Sequence, residues 1–151
     1  MVASGAMLLA TDALSIERTL GTYMLSECEV SKSRLAEFAY LQGSAELLLS
    51  FAKTYDVRAA LLLKQRIFST WLQQNVTDLR AMILDVDFVE ACNNLTEVQR
   101  TQLTMKWADD IQLYIITIDE LRGSFVIPSI LQVNLLVSLQ LHSALAKINE
   151  C

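Results

Sequence analysis

The sequence predicts an all-α fold of five or six long, mostly antiparallel helices, arranged as a helical bundle or a short α-solenoid-like array. Apolar residues recur every three or four positions, and no segment shows the sustained alternation of a strand. Of the 151 residues, 53% are hydrophobic and one is proline, which supplies enough apolar surface for a core without metals or disulfides. We expect one domain over residues 1–151, with residues 1–11 as a candidate disordered segment.

The first predicted helix begins at Asp12, a good N-cap residue, and ends near Cys28. Gly21 lies inside it and lowers its helix propensity. The apolar residues at helical spacing are Leu14, Ile16, Leu20, Tyr23 and Met24.

The second predicted helix begins at Ser31 or Ser33 and ends near Lys53. Its expected core face comprises Leu35, Phe38, Ala39, Ala45, Leu49 and Ala52. Three further apolar residues, Tyr40, Leu47 and Phe51, project away from that face. We therefore expect this helix to be covered on more than one side.

The third predicted helix follows a very short turn at residues 54–56, so it should lie antiparallel to the second. Its apolar stripe is Val57, Ala60, Leu61, Ile67, Phe68, Trp71 and Leu72. Residues 75–78 are then expected to break the chain, with Thr77 or Asp78 as the N-cap of a shorter helix that ends near Cys92. The stripe of that helix is Leu79, Met82, Ile83, Val86 and Val89.

The fifth predicted helix begins with a capping box, because Thr96 is followed three residues later by Gln99. It should end near Arg122, with Leu103, Trp107, Ile111, Tyr114, Ile118 and Leu121 as its core stripe. On the opposite side the projection places Val98, Met105 and Ile116, with Leu113 adjacent. This second apolar strip indicates either a central position in a larger bundle or a surface that receives a partner.

The last predicted helix runs from Pro128 to about Asn149, since Gly123 is a natural C′ residue and Pro128 suits a first turn. It is apolar over a wide arc, with Leu136 in the middle of a narrow polar stripe. Such a helix must be surrounded by its own domain or by a partner chain. A buried core helix is favoured over a membrane span, because a span would carry Gln132, Asn134, Gln140 and His142 into hydrocarbon.

Charge and cysteine usage narrow the class of protein. A net charge of −5 has the wrong sign for a nucleic-acid interface. The three cysteines form no CxxC pair, and their odd number argues against a closed disulfide framework and favours a reducing compartment. Because the N-terminus also lacks a basic n-region, we expect an intracellular protein, cytoplasmic or nuclear, with membrane association unlikely.

Catalytic and metal-binding signals are weak. The chain has one histidine, His142, and its acidic pairs Asp109-Asp110 and Asp119-Glu120 lie beside an apolar stripe rather than within it. Asp85, Asp87 and Glu90 lack the glycine and ligand ladder of a calcium loop, and the scattered cysteines lack zinc-ligand spacing. The sequence therefore predicts no enzyme, no metal site and no cofactor.

Two functional hypotheses follow. The first is a non-catalytic, acidic scaffold or adaptor that uses apolar helix faces for homo- or hetero-oligomerisation, homodimerisation being the simplest case. Its candidate partner-binding residues are Tyr40, Leu47, Phe51, Val98, Met105, Leu113, Ile116 and Leu136. The alternative is a helical carrier or sensor for an apolar small molecule, with Asn134, Ser138 and His142 as polar anchors of an interhelical pocket.

Overall fold

The computed structural model describes the backbone of residues 2–149 and the side chains of residues 2–125 and 134–144. The helices are α1 (Val2–Glu27), α2 (Lys32–Tyr55), α3 (Val57–Leu63), α4 (Trp71–Leu84), α5 (Phe88–Asn93) and α6 (Glu97–Asn149), and a π-helical turn, Lys64–Phe68, extends α3. Within the described backbone no strand occurs. The predicted all-α fold is confirmed.

Helix α1 lies at the centre of the packing, against both α2 and α6. Its buried side chains Met7, Leu14 and Met24 join Phe38 from α2 and Trp107 from α6 in one apolar core. The rings of Phe38 and Trp107 lie 5.7 Å apart, between centroids. A three-helix core of this kind holds the outer faces of α2 and α6 in fixed positions.

The start of α1 corrects the sequence prediction. The helix begins at Val2, ten positions before the expected N-cap Asp12, and residues 2–11 are ordered helix rather than a disordered segment. Ala3, Ala6, Met7 and Ala10 are buried in the core. Spacing of three and four residues places these side chains, three of them alanines, on one face of α1, and capping signals do not reveal such a face. Ile16, expected in the core, is half exposed.

Helix α2 largely follows the prediction. The Ser31 hydroxyl accepts a hydrogen bond of 3.3 Å from the backbone N–H of Arg34, which is the expected N-cap. Phe38, Ala45, Leu49 and Ala52 are buried as expected; Leu41 is also buried, whereas Ala39 is exposed.

The break after α3 lies at Ser69 and Thr70, before the expected break at residues 75–78, which are continuous with α4. The π-helical turn closes when the backbone N–H of Ser69 donates to the carbonyl of Lys64 (3.0 Å). Asn75 does not interrupt α4 because its side chain donates to Asp110 of α6 at 3.2 Å. Helix α4 begins at Trp71 after this break, and its buried face begins at Leu72, so Trp71 is exposed.

Helix α4 ends at Leu84, and residues 85–87 form the turn to α5. The chain was expected to continue as one helix to Cys92, with Val86 and Val89 on its stripe. Instead Val86 is 95% exposed and Val89 is partly exposed, whereas Phe88 is buried. Asp85 accepts a hydrogen bond from the backbone N–H of Asp87 (2.8 Å), so an aspartate favours the turn over the helix.

The predicted capping box at the start of α6 is confirmed. Gln99 accepts from the backbone N–H of Thr96 (2.9 Å), and Thr96 accepts from that of Gln99 (3.2 Å). The predicted core stripe is buried from Trp107 to Leu121, with Leu103 partly buried at its start.

The end of α6 corrects the prediction of two separate helices. A single helix of 53 residues runs through Gly123 and Pro128 to Asn149. Gly123 does not act as a C′ residue, because it lacks the positive φ that a helix stop of this kind requires. The two expected helices are therefore one, and its C-terminal part extends the rod that packs on α1.

Cys28 and Cys92 form a disulfide, contrary to the expectation drawn from the odd cysteine count. Their Cα atoms are 5.5 Å apart although 64 positions separate them in the sequence. Cys28 directly follows α1 with φ of 51°, a left-handed conformation that a non-glycine residue rarely adopts. The Cys92 sulfur also lies 3.6 Å from the carbonyl oxygen of Leu25, near the end of α1. Only the tertiary fold brings the two cysteines together, so sequence spacing could not show the pair. The cysteine argument for a reducing compartment no longer holds.

Candidate interaction surface

Both of the predicted second apolar faces are exposed. The first is on α2 (Tyr40, Leu47, Phe51) and the second on α6 (Val98, Met105, Leu113, Ile116). Together with Leu136, these side chains are between 42% and 73% exposed. The structure thus keeps all eight candidate partner-binding residues accessible. Their role in binding stays a prediction.

The face on α2 extends one turn beyond the predicted residues. The ring of Tyr55 packs on that of Phe51, with centroids 4.4 Å apart, and both side chains are exposed. Tyr40, Leu47 and Phe51 follow each other at intervals of seven and four residues, which aligns them along one side of the helix. This side of α2 is opposite the face that packs on α1.

The C-terminal section of α6, defined as residues 134–144, is exposed on every side. Its five large apolar side chains, Leu135, Leu136, Val137, Leu139 and Leu141, are between 49% and 62% exposed. The section contains no charged residue. Sequence reasoning expected a helix this apolar to be surrounded. The described helices of this chain do not surround it.

The candidate ligand anchors lie on the same section. Asn134, Ser138 and His142 are exposed, and the Nδ1 atom of His142 lies 2.9 Å from the carbonyl oxygen of Ser138, one turn earlier. The interhelical pocket proposed for them is therefore not formed between the described helices. An open groove of about 370 Å³ exists elsewhere, and its lining is Ser26, Glu97, Arg100, Thr101, Thr104 and Met105.

Three residues of the acidic pairs, Asp110, Asp119 and Glu120, form ion pairs. Lys106 lies 2.6 Å from Asp110, Arg122 lies 3.3 Å from Asp119, and Arg66 lies 3.6 Å from Glu120. The pairs of Asp119 and Glu120 lie on the outer surface, where such contacts stabilise weakly. The side chain of Asp110 is only 13% exposed and also accepts a hydrogen bond from Asn75. This arrangement is typical of a charged helix face.

A buried ion pair was not foreseen. Arg80 of α4 donates two hydrogen bonds to Glu17 of α1, at 2.7 and 2.8 Å, and the two side chains are 3% and 0% exposed. Burial raises the pKa of Glu17, which the guanidinium of Arg80 offsets only in part. Burial opposes the charge of Arg80, but its bond to Glu17 outweighs this and raises the pKa of Arg80.

The sequence does contain a signal for this pair. Glu17 stands on the same stripe as Leu14, Gly21 and Met24, at intervals of three and four residues, so it faces the core. A charged residue on a core stripe requires a partner of opposite charge. The pair is closed to solvent and connects α1 with α4, which indicates a structural role.

The described residues provide neither a metal site nor a membrane span. Among the described residues, no three His, Cys, Asp or Glu side chains lie close enough together to hold a metal ion. Within that same part of the chain, none of the helices combines the length and the apolar character of a membrane span.

The chain matches no protein-family model, no curated protein and no solved structure. Its function must therefore be argued from its own fold and surface. These define an all-α chain with a three-helix core and exposed apolar helix faces.

Proposed function

We propose that this chain is a non-catalytic α-helical interaction module, which assembles with other protein chains through its apolar helix faces. The observation that carries the proposal is the C-terminal section of α6. Five large apolar side chains lie there in contact with water on all sides of an uncharged helix. Burial of apolar surface releases about 25 cal/mol per Å², so covering this section with another chain is favourable.

The outer faces of α2 and α6 support the same proposal. Single exposed apolar side chains are common on soluble proteins, but contiguous apolar patches mark interaction sites. Phe51 and Tyr55 on α2, and Leu113 and Ile116 on α6, form such local groups. Aromatic residues such as Phe51 and Tyr55, and methionines such as Met105, are enriched in protein–protein interfaces.

The disulfide bears on the compartment in which this assembly would occur. An intracellular location was predicted partly from the cysteines, and the bond between Cys28 and Cys92 is of a kind that persists mainly in oxidising environments. Assembly through apolar helix faces is compatible with either environment.

The test removes the apolar character of the C-terminal section without a change in its length. A five-glutamine variant carries Leu135→Gln, Leu136→Gln, Val137→Gln, Leu139→Gln and Leu141→Gln. Because these side chains are exposed, circular dichroism and urea unfolding of the rest of the chain should be unchanged. Native mass spectrometry and chemical cross-linking in cell extract should show that the wild-type chain assembles and that the variant does not.

A second variant tests the outer face of α6. Met105→Glu combined with Ile116→Glu should weaken association and leave helicity intact, since both side chains are exposed opposite the core stripe. A matched control adds the same two charges at exposed polar positions, Ser50→Glu and Gln65→Glu. A wild-type chain that is monomeric and cross-links to no other protein would refute the proposed function.

A further inference from the structure

One line of side chains along the C-terminal section of α6 has the heptad spacing of a coiled coil. Asn134, Val137, Leu141 and Ala144 follow one another at intervals of three, four and three residues, and all four are exposed. These four residues are called the seam. Intervals of three and four keep the side chains on one side of a helix that supercoils with a neighbour.

The seam is the most apolar heptad line of this helix. The line through Leu135 also contains Ser138 and His142. In the sequence, the line through Leu136 and Leu139 also contains Ser129, Gln132 and Ser143. The seam has a single polar residue, Asn134. In the sequence the same spacing continues to Ile127, Ile130 and Ile148. With these intervals Asn134 is at an a position, and a single asparagine at an a position fixes the register and the number of strands of a coiled coil.

Asn134 indicates what kind of helix lies opposite. An asparagine side chain has both a donor and an acceptor, so in a coiled coil it is satisfied by another asparagine at the facing position. A second copy of this chain supplies that residue automatically when the helices are parallel and in register. In an antiparallel pair the heptad position of Asn134 would face an apolar position instead, which leaves the amide unsatisfied.

Charge also favours a second copy at this place. The chain has a net charge of −5, which opposes the close approach of two copies through most of their surfaces. Residues 123–146 contain no Asp, Glu, Lys or Arg. Ser138 and Gln140, which flank the seam, are uncharged and introduce no repulsion between identical helices.

We propose that the seam pairs with the seam of a second copy, as a parallel, in-register, two-stranded coiled coil with the two Asn134 side chains facing each other. The inference rests on the proposed function and names its partner. A lipid bilayer is a poorer occupant, because Asn134, Gln140 and His142 lie on different sides of the section and would enter hydrocarbon together.

The test compares two leucines that differ in their relation to the seam. Leu141 lies on it and Leu139 does not, yet they are 58% and 59% exposed. By sedimentation equilibrium of the full chain, the wild type and the Leu139→Lys variant should be dimers. The Leu141→Lys variant should dissociate with a constant at least about tenfold larger, because its two new charges would oppose each other in the dimer.

Cross-linking tests the orientation and register. In a Cys151→Ser background, Val137→Cys should form a disulfide between two copies under mild oxidation, whereas Leu139→Cys should form little. Asn134→Leu removes the polar pair and should yield a mixture of oligomers in place of one dimer.

Three outcomes would refute the pairing of two seams. They are a monomeric wild-type chain, equal effects of lysine at 139 and 141, and wild-type chain that binds phosphatidylcholine vesicles but forms no dimer in solution. A monomer that cross-links to a different protein, and loses it in the five-glutamine variant, would refute the second copy while the proposed function stands. If the five-glutamine variant assembles as the wild type does, assembly uses the outer faces of α2 and α6 instead, and the seam is refuted. The proposed function itself fails if the wild-type chain is monomeric and cross-links to no other protein.

Discussion

The indole ring of Trp107 lies directly against the backbone of Gly21, where α6 crosses α1. A Cβ atom at position 21 would overlap the ring, with its Cζ2 atom only 2.7 Å away. The indole N–H also donates to the carbonyl oxygen of Arg18 at 3.0 Å. A glycine that weakens helix propensity is thus the residue that lets the largest core side chain approach.

Gly21→Ala should therefore lower the free energy of unfolding by about 1–3 kcal/mol, since overpacking outweighs the gain in helix propensity. Urea unfolding followed by circular dichroism measures the change. Gly43→Ala is the matched control, because nothing lies within 4 Å of its Cβ position, also within a helix. That variant should be more stable by about 0.5–1 kcal/mol. Equal effects at both positions would contradict the close contact.

Removal of one partner from the buried ion pair should be costly. Glu17→Gln leaves the guanidinium of Arg80 without its buried counter-charge, so we expect a loss of about 3–5 kcal/mol in the free energy of unfolding. Glu46 also lies near Arg80, at 3.4 Å, but is 55% exposed. Glu46→Gln should cost less than about 1 kcal/mol. Chemical denaturation measures the free energy of unfolding of both variants. Similar losses in the two variants would mean that burial of the carboxylate does not determine the size of the effect.

Titration of Tyr114 should lower the free energy of unfolding at alkaline pH. Burial raises the pKa of Tyr114 from 10.0 to about 12, so the folded state holds the phenolic proton more tightly than the unfolded state does. The protonated phenol of Tyr114 contributes about 3 kcal/mol to the free energy of unfolding. This contribution is fully present below pH 10 and is lost as the pH rises to about 12.

The Tyr114→Phe variant isolates this effect. It loses the hydrogen bond to Gln73 (2.9 Å) and about 0.5–1.5 kcal/mol at neutral pH, but its stability should fall less steeply above pH 10. Urea unfolding at several alkaline pH values gives both slopes. Parallel slopes would show that the buried phenol does not control the alkaline loss.

The disulfide should stabilise the fold mainly because it restricts the conformations of the unfolded chain. Reduction frees a loop with a sequence separation of 64, so the free energy of unfolding should fall by about 2–4 kcal/mol. A double variant, Cys28→Ala with Cys92→Ala, should show a similar loss. Its urea unfolding should not respond to reductant, whereas that of the wild type should. A wild-type chain insensitive to reductant would contradict the pairing.

Local signals predicted much of the fold. Ser31 and the Thr96–Gln99 box are caps formed within four residues, so they could be identified from neighbours in the sequence alone. The core stripe that includes Trp107 repeats over several helical turns, so its periodicity could also be identified from the sequence. The same projection identified the second apolar strips on α2 and α6. The expectation that α2 is covered on more than one side was wrong, because no described helix of the chain packs on Tyr40, Leu47 and Phe51, which are exposed.

Other features depended on contacts between distant residues. Asn75 stays within a helix because Asp110 binds its amide, and Cys28 meets Cys92 because α5 packs beside the end of α1. Neither partner could be named from spacing. Arg80 likewise acquires its role from a carboxylate 63 positions away.

The sequence by itself determined that the chain is helical and that its apolar residues exceed one simple set of core stripes. Periodicity is a local property of the sequence, so it can be determined without knowledge of the tertiary contacts. Only the tertiary structure decided where the surplus lies. Because α6 continues past Gly123 as one helix, residues 134–144 extend beyond the core with every side chain exposed, and the apolar surplus becomes a surface rather than an interior.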